Sequence, residues 1–173
     1  MTYQHKEYFI SAVIGLLTGL MALGILAHLS IYFAHQTFLL LVILPILWAG
    51  GIKIGHDVSR WITVAPQLSH YFIVGVLSTA IDFSILNLVS YLTGITAGLF
   101  VGWVNAPGFL IAVLNAYLLN KLWVFKKHER PRVEEVIRFF LVALFGLILS
   151  SAILVFFTLY WHPLFGMTPK QWL

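Results

Sequence analysis

The chain has 173 residues, 61% of them hydrophobic and only 9% charged, with a formal charge of +4. A soluble domain carries about 25% charged residues, so this chain cannot cover a water-facing surface and reads as a membrane protein. The ten Lys and Arg fall mostly at the ends of apolar runs, which excludes a nucleic-acid surface, and the lack of cysteine excludes disulfides and thiol chemistry.

Five runs are long enough to cross a bilayer, where a helix needs about 20 mostly apolar residues. In chain order they extend from about Tyr8 to His28, Thr37 to Ile54, Tyr71 to Leu92, Leu99 to Leu119 and Phe139 to Tyr160. The first follows a charge, as a signal peptide does. It continues without a small-residue cleavage site and is expected to be a retained span. Backbone groups in hydrocarbon must be satisfied within the segment, and nothing here alternates in polarity, so the expected fold is an all-α, polytopic transmembrane bundle. Pro45 and Pro107 each remove one helical hydrogen bond and are expected to kink their spans.

Loop charges predict the orientation. Lys6, Lys53, Arg60, Lys121, Lys126, Lys127, Arg130, Arg132 and Arg138 fall on one side of the five spans and Lys170 on the other. This bias places the N-terminus in the cytoplasm. The loop KKHERPRVEEVIR reads as a solvated connection that can also meet anionic headgroups. Residues 58–70, VSRWITVAPQLSH, read as an interfacial segment, with Trp61 as a headgroup-level anchor.

Inside the spans, Asp82 is the outlier. It lies about 11 residues into the third run, roughly 16 Å deep at about 1.5 Å per residue. A carboxylate there needs a partner, a wet cavity or a proton. Ser78 sits one turn earlier. Asn105 and Asn115 occupy neighbouring angular positions on the fourth span, so Asp82, Ser78, Asn115 and Asn105 form a candidate intramembrane polar site. The alternative for each is a plain interhelical hydrogen bond. Gly108, Ala112 and Ala116 recur every four residues and make a stripe for close helix packing, predicted to serve a homo-oligomer. At the boundary, Lys121 and Arg138 can snorkel or bind a lipid phosphate. The seven histidines show no metal-ligand spacing, and no phosphate loop, nucleophile elbow or dinucleotide fingerprint occurs. No metal or other cofactor is implied, and no catalytic residue is assigned.

The segment HYFIVGVLST at residues 70–79, the run Asn120-Lys121-Leu122-Trp123-Val124-Phe125 and the pair Arg138-Phe139 together resemble the GtrA-like family of small polytopic membrane proteins. That family opens its first helix with Arg-Phe, two residues, Val-Gly and a Thr four residues on. Here His70 and Tyr71 replace the first pair, while Val74, Gly75 and Thr79 match. Its second helix ends in Asn-Arg-x-Trp-x-Phe, matched by Asn120, Trp123 and Phe125 with Lys121 for arginine. Its third opens on Arg-Phe, matched by Arg138 and Phe139.

The resemblance implies translocation of a polyprenyl-phosphate-linked sugar for surface polysaccharide or glycan synthesis, in a prokaryotic inner or plasma membrane. It thus implies a carrier or accessory protein rather than an enzyme. Lys121, Arg138 and His70 would hold the lipid phosphate. The alternative is a non-catalytic anchor or partner of a membrane glycosyltransferase. The expected partners are the lipid-linked sugar, membrane lipids, such a transferase and further copies of the chain. Residues 1–68 would form an additional N-terminal hairpin with its linker, and 69–173 the GtrA-like domain. Aligning Tyr71 with Phe139 as an internal repeat leaves no counterpart for Asn120 and Trp123 before residue 173. Two expectations stay open: MTPKQWL opens a truncated sixth span, or this member works with five spans.

Overall fold

A computed structural model describes residues 3–126 and 133–161. All regular structure among them is helical. Helix α1 spans Tyr3–His28, α2 Gln36–Val58, α3 Ala65–Thr93, α4 Val101–Val124 and α5 Val133–Leu159. Each is long and apolar enough to cross a membrane. Large apolar side chains such as Leu92, Trp103, Val142 and Phe145 stand exposed. That pattern would be a liability in water and is the expected lipid-facing surface of a multi-pass membrane protein.

Three departures from the predicted boundaries have local causes. The interfacial segment is shorter than expected: turns end near Val64, and α3 begins at Ala65 with Pro66 in its first turn, where a missing N–H has no helical bond to lose. His70 is thereby a helical residue. The VEEVIR end of the basic loop is also helical, with Glu134 and Glu135 in the first turn of α5, where acidic groups favour the positive end of the helix dipole. Pro45 follows a π-helical turn at Leu39–Ile43 and stands in the first turn of the α-helical segment Leu44–Val58. The wider turn absorbs the lost hydrogen bond. Pro107 lies inside α4 as expected. Lys127, Arg130, Arg132 and the MTPKQWL segment lie outside the described residues.

The chain forms two compact units. The first combines residues 1–81 with 115–127, and the second 82–114 with 128–173. In the first, α1 and α2 make a close hairpin whose connection carries left-handed residues at Ser30 and His35. A side chain at Gly15 would strike the Pro45 backbone, and one at Gly19 would overlap the Leu40 carbonyl. Gly55 likewise lets α2 approach Ser69 on α3. Bare backbone is what brings helices this near in the absence of a hydrophobic driving force. The core here joins Ile14, Ile52, Ile73, Val74, Leu77, Trp123 and Val124.

In the second unit, Leu86, Val101 and Val104 form the core, with Val89, Ile95 and Leu154 against it. The small-residue stripe is occupied inside the chain at Gly108. An added Cβ there would lie 2.7 Å from the Asp82 carbonyl oxygen and 2.9 Å from its Oδ1. Gly108 and Ala112 are buried, and Ala116 packs against the first unit's core. These residues serve helix packing within one protomer.

Candidate functional site

The polar groups of the first unit converge on Glu7. This residue lies in the second turn of α1 and is only 3% exposed. His56, from the last turn of α2, donates from Nε2 to Glu7 Oε2 at 2.8 Å. The direction follows because a carboxylate accepts only. Lys126 Nζ reaches Glu7 Oε1 at 3.1 Å. His70 Nε2 stands 3.8 Å from the same oxygen, too far for a hydrogen bond. Thus α1, α2, α3 and the end of α4 meet at one carboxylate.

The end of α4 is shaped to deliver these contacts. Asn120–Val124 is a π-helical turn, closed by the Phe125 N–H bonding back to Asn120 O at 2.8 Å. The extra residue per turn lets the consecutive Trp123 and Val124 both be buried. Lys126 follows in the left-handed region at φ 54°, a conformation that usually falls to Gly or Asn after a helix. Its salt bridge to Glu7 favours that unusual backbone.

His70 is fixed from its other side. Its Nδ1 lies 2.6 Å from the Pro66 carbonyl. A carbonyl can only accept, so Nδ1 carries the proton, and in the neutral ring Nε2 is an acceptor. The ring meets Trp123 edge-on, with centroids 4.5 Å apart at 79°. His70 Nε2, Trp123 Nε1 and Asn120 Oδ1 are all buried without a hydrogen-bond partner. Buried polar atoms are usually satisfied, and these three, from one end of α3 and α4, are exceptions.

The other predicted residues fall elsewhere. Lys121 lies 5.8 Å from the Tyr117 ring centroid on its own helix, and Lys126 is the cation that reaches the His70 cluster. Arg138 is exposed on α5, and Phe139 stacks edge-on with Phe140. Asn115 Nδ2 donates to Ser78 Oγ at 2.9 Å, so these two satisfy each other. Gly75 and Thr79 are exposed, and Thr79 Oγ1 donates to the Gly75 carbonyl. Both line an apolar surface groove of about 590 Å³ with Leu68, Tyr71, Phe72 and Val76. Phe125 is exposed. In the second unit, Asn105 Nδ2 donates to Ser150 and Ser151 at 3.2 and 3.1 Å, while Asp82 Oδ1 is buried with no partner. The intramembrane polar residues therefore divide into two groups.

Sequence reasoning missed Glu7, His56, Lys126, Ser150 and Ser151. The available signal was Glu7 itself, an acidic residue one turn before an apolar run, with no cation at helical spacing that could pair it locally.

His70, Gly75, Thr79, Asn120 and Trp123 thus define the ends and faces of α3 and α4, as a shared fold would require. The family model of the GtrA/DPMS transmembrane domain matches residues 70–169, more than half of the chain. The chain belongs to the GtrA/DPMS transmembrane family. Membership links it to glycan or polyprenyl-sugar biosynthesis in a membrane. Comparison with curated proteins gave no match, and comparison with solved structures gave none. Glu7 and His56 precede the matched region, so residues outside it supply two members of the Glu7 cluster.

Proposed function

We propose that this protein translocates a polyprenyl-phosphate-linked sugar across a prokaryotic cell membrane, for surface polysaccharide or glycan synthesis. The sugar headgroup is received beside His70, Trp123 and Asn120. The observation that carries this reading is the chemistry of the three unpartnered atoms. His70 Nε2 and Asn120 Oδ1 accept, and Trp123 Nε1 donates. A phosphate oxygen would satisfy only the donor. A sugar hydroxyl both donates and accepts, so a hydroxyl-bearing headgroup can satisfy all three. His70 is therefore assigned to the sugar rather than to the phosphate.

Phosphate contact falls to the first unit's cation near the membrane boundary, Lys121. The apolar carrier stays in hydrocarbon. The loop-charge bias puts this end in the cytoplasm, where it would load substrate. The Ser78–Asn115 pair offers the next polar groups along α3 and α4.

Reconstitution into liposomes tests the reading. The protein should accelerate movement of a fluorescent polyprenyl-phosphate sugar between leaflets above the rate in empty vesicles. His70→Ala and Trp123→Phe should reduce that rate while the protein stays monodisperse. Folded parent protein that gives no acceleration overturns the proposal.

One observation favours a second reading, a membrane partner of a polyprenyl-phosphate glycosyltransferase. The additional hairpin sends Glu7 and His56 into the end of the family domain, as expected if these spans fix a docking platform. Recovery of such a transferase with the tagged protein in mild detergent, together with no translocation by the protein alone, selects this reading.

A further inference from the structure

We propose that the cavity around Asp82 binds a membrane-dissolved organic cation: a single positive charge carried on an apolar, aromatic-sized body. The cavity measures about 420 Å³ and lies between α3, α4 and α5 of the second unit, within the size range of small-molecule sites. Its polar lining is Asp82, Asn105 and Ser150, and the rest is apolar, including Phe83 and Phe157. Among the described residues, no Lys, Arg or His lines it.

The groups around Asp82 leave its carboxyl unanswered. Oδ1 is packed against Gly108 and has no hydrogen-bond partner. The Asn105 amide, a donor in the same lining, is spent on other groups. Asn105 gives its amide to Ser150 and Ser151, and Ser151 donates to the Gly102 carbonyl at 3.3 Å. A carboxylate at this depth is retained at considerable cost unless it meets a positive charge. The cavity supplies the remaining features such a ligand needs. Aliphatic walls receive its body, and the rings of Phe83 and Phe157 can attract its charge through their faces.

The same features exclude other ligands. A phosphate or carboxylate would face Asp82 with no compensating cation. Calcium or magnesium would need about six or more oxygen ligands, and the lining offers one carboxylate, one amide and one hydroxyl. The lipid-linked anion proposed above is thus a poor ligand for this cavity, so the two proposals stand or fall separately.

Saturable binding of radiolabelled tetraphenylphosphonium to the purified full chain in nanodiscs tests the inference. Parent protein should bind it saturably. Asp82→Asn should weaken binding by about tenfold or more, the scale expected when a charge-assisted contact is lost. Leu149→Trp should fill the cavity and weaken binding with the carboxyl intact; Leu149 is half exposed and tolerates enlargement. Tyr32→Phe, exposed on the α1–α2 connection, should bind as the parent does. Should Asp82→Asn lose helicity by circular dichroism, Leu149→Trp decides by the same criterion. No saturable binding by folded parent protein overturns the proposal, as does unchanged affinity in folded Asp82→Asn and Leu149→Trp.

Discussion

Two carboxyls, one in each unit, have opposite surroundings. Glu7 has nitrogen atoms of His56 and Lys126 within hydrogen-bond reach and His70 just beyond. Asp82 has a buried oxygen with no partner, a glycine behind it and a cavity in front. A carboxylate surrounded by donors ties elements together. One without them either stays protonated or waits for a cation. The contrast points to architecture for Glu7, just before the first predicted span, and to ligand chemistry for Asp82, inside the third.

The largest expected effect is at Glu7. Glu7→Ala should destabilise the protein by about 3 kcal/mol, because it removes two hydrogen bonds to a charged group, each worth about 1.5–3 kcal/mol. Asp82→Asn should be near neutral or mildly stabilising, since it removes a charge that nothing opposes. Denaturation midpoints in detergent check the pair, and equal losses would break the contrast. Next is Gly108→Val, which should cost about 1–3 kcal/mol by forcing α4 off the Asp82 backbone. The same measurement applies, and an unshifted midpoint would show that the close approach is not needed.

A smaller effect is expected for the satisfied pair. Interhelical hydrogen bonds in membranes average about 0.6 kcal/mol in double-mutant cycles, so Ser78→Ala and Asn115→Ala should couple by about that amount. Zero coupling would mean the bond does not form in the bilayer. The smallest stability effect should come from Trp123→Phe. Its Nε1 has no partner to lose, so the midpoint should move by less than about 1 kcal/mol, while translocation falls if the indole donates to a headgroup. A large loss of stability with unchanged translocation would return Trp123 to the core alone.

Much of the architecture was legible because hydrocarbon thickness imposes a length that apolar runs must meet. All five spans were found that way. Their ends were less accurate: Ala65–Ser69 and Val133–Arg138 contain polar residues that hydropathy assigns to loops, and helix N-terminal chemistry overrides it. His70, Asn120 and Trp123 were legible through the family pattern. The Glu7 cluster was not, since Glu7 and His56 are 49 residues apart, and Glu7 and Lys126 are 119. No local periodicity carries such pairings. Lys126 read as one more basic loop residue, and His56 beside Asp57 read as no site because the two diverge around the helix. The Gly108 stripe was recognised as a packing surface, but spacing alone does not say whether the partner helix belongs to the same chain.

The salt bridge between Glu7 and Lys126 also imposes an order of assembly during synthesis. At about 5–20 residues per second, the 119 residues between them take roughly 6–24 s to make. The α1–α2 hairpin, with Gly15 against Pro45 and Gly19 against Leu40, can close long before that. During the interval His56 is already made, so it can bond Glu7 and hold the young hairpin together before Lys126 is added.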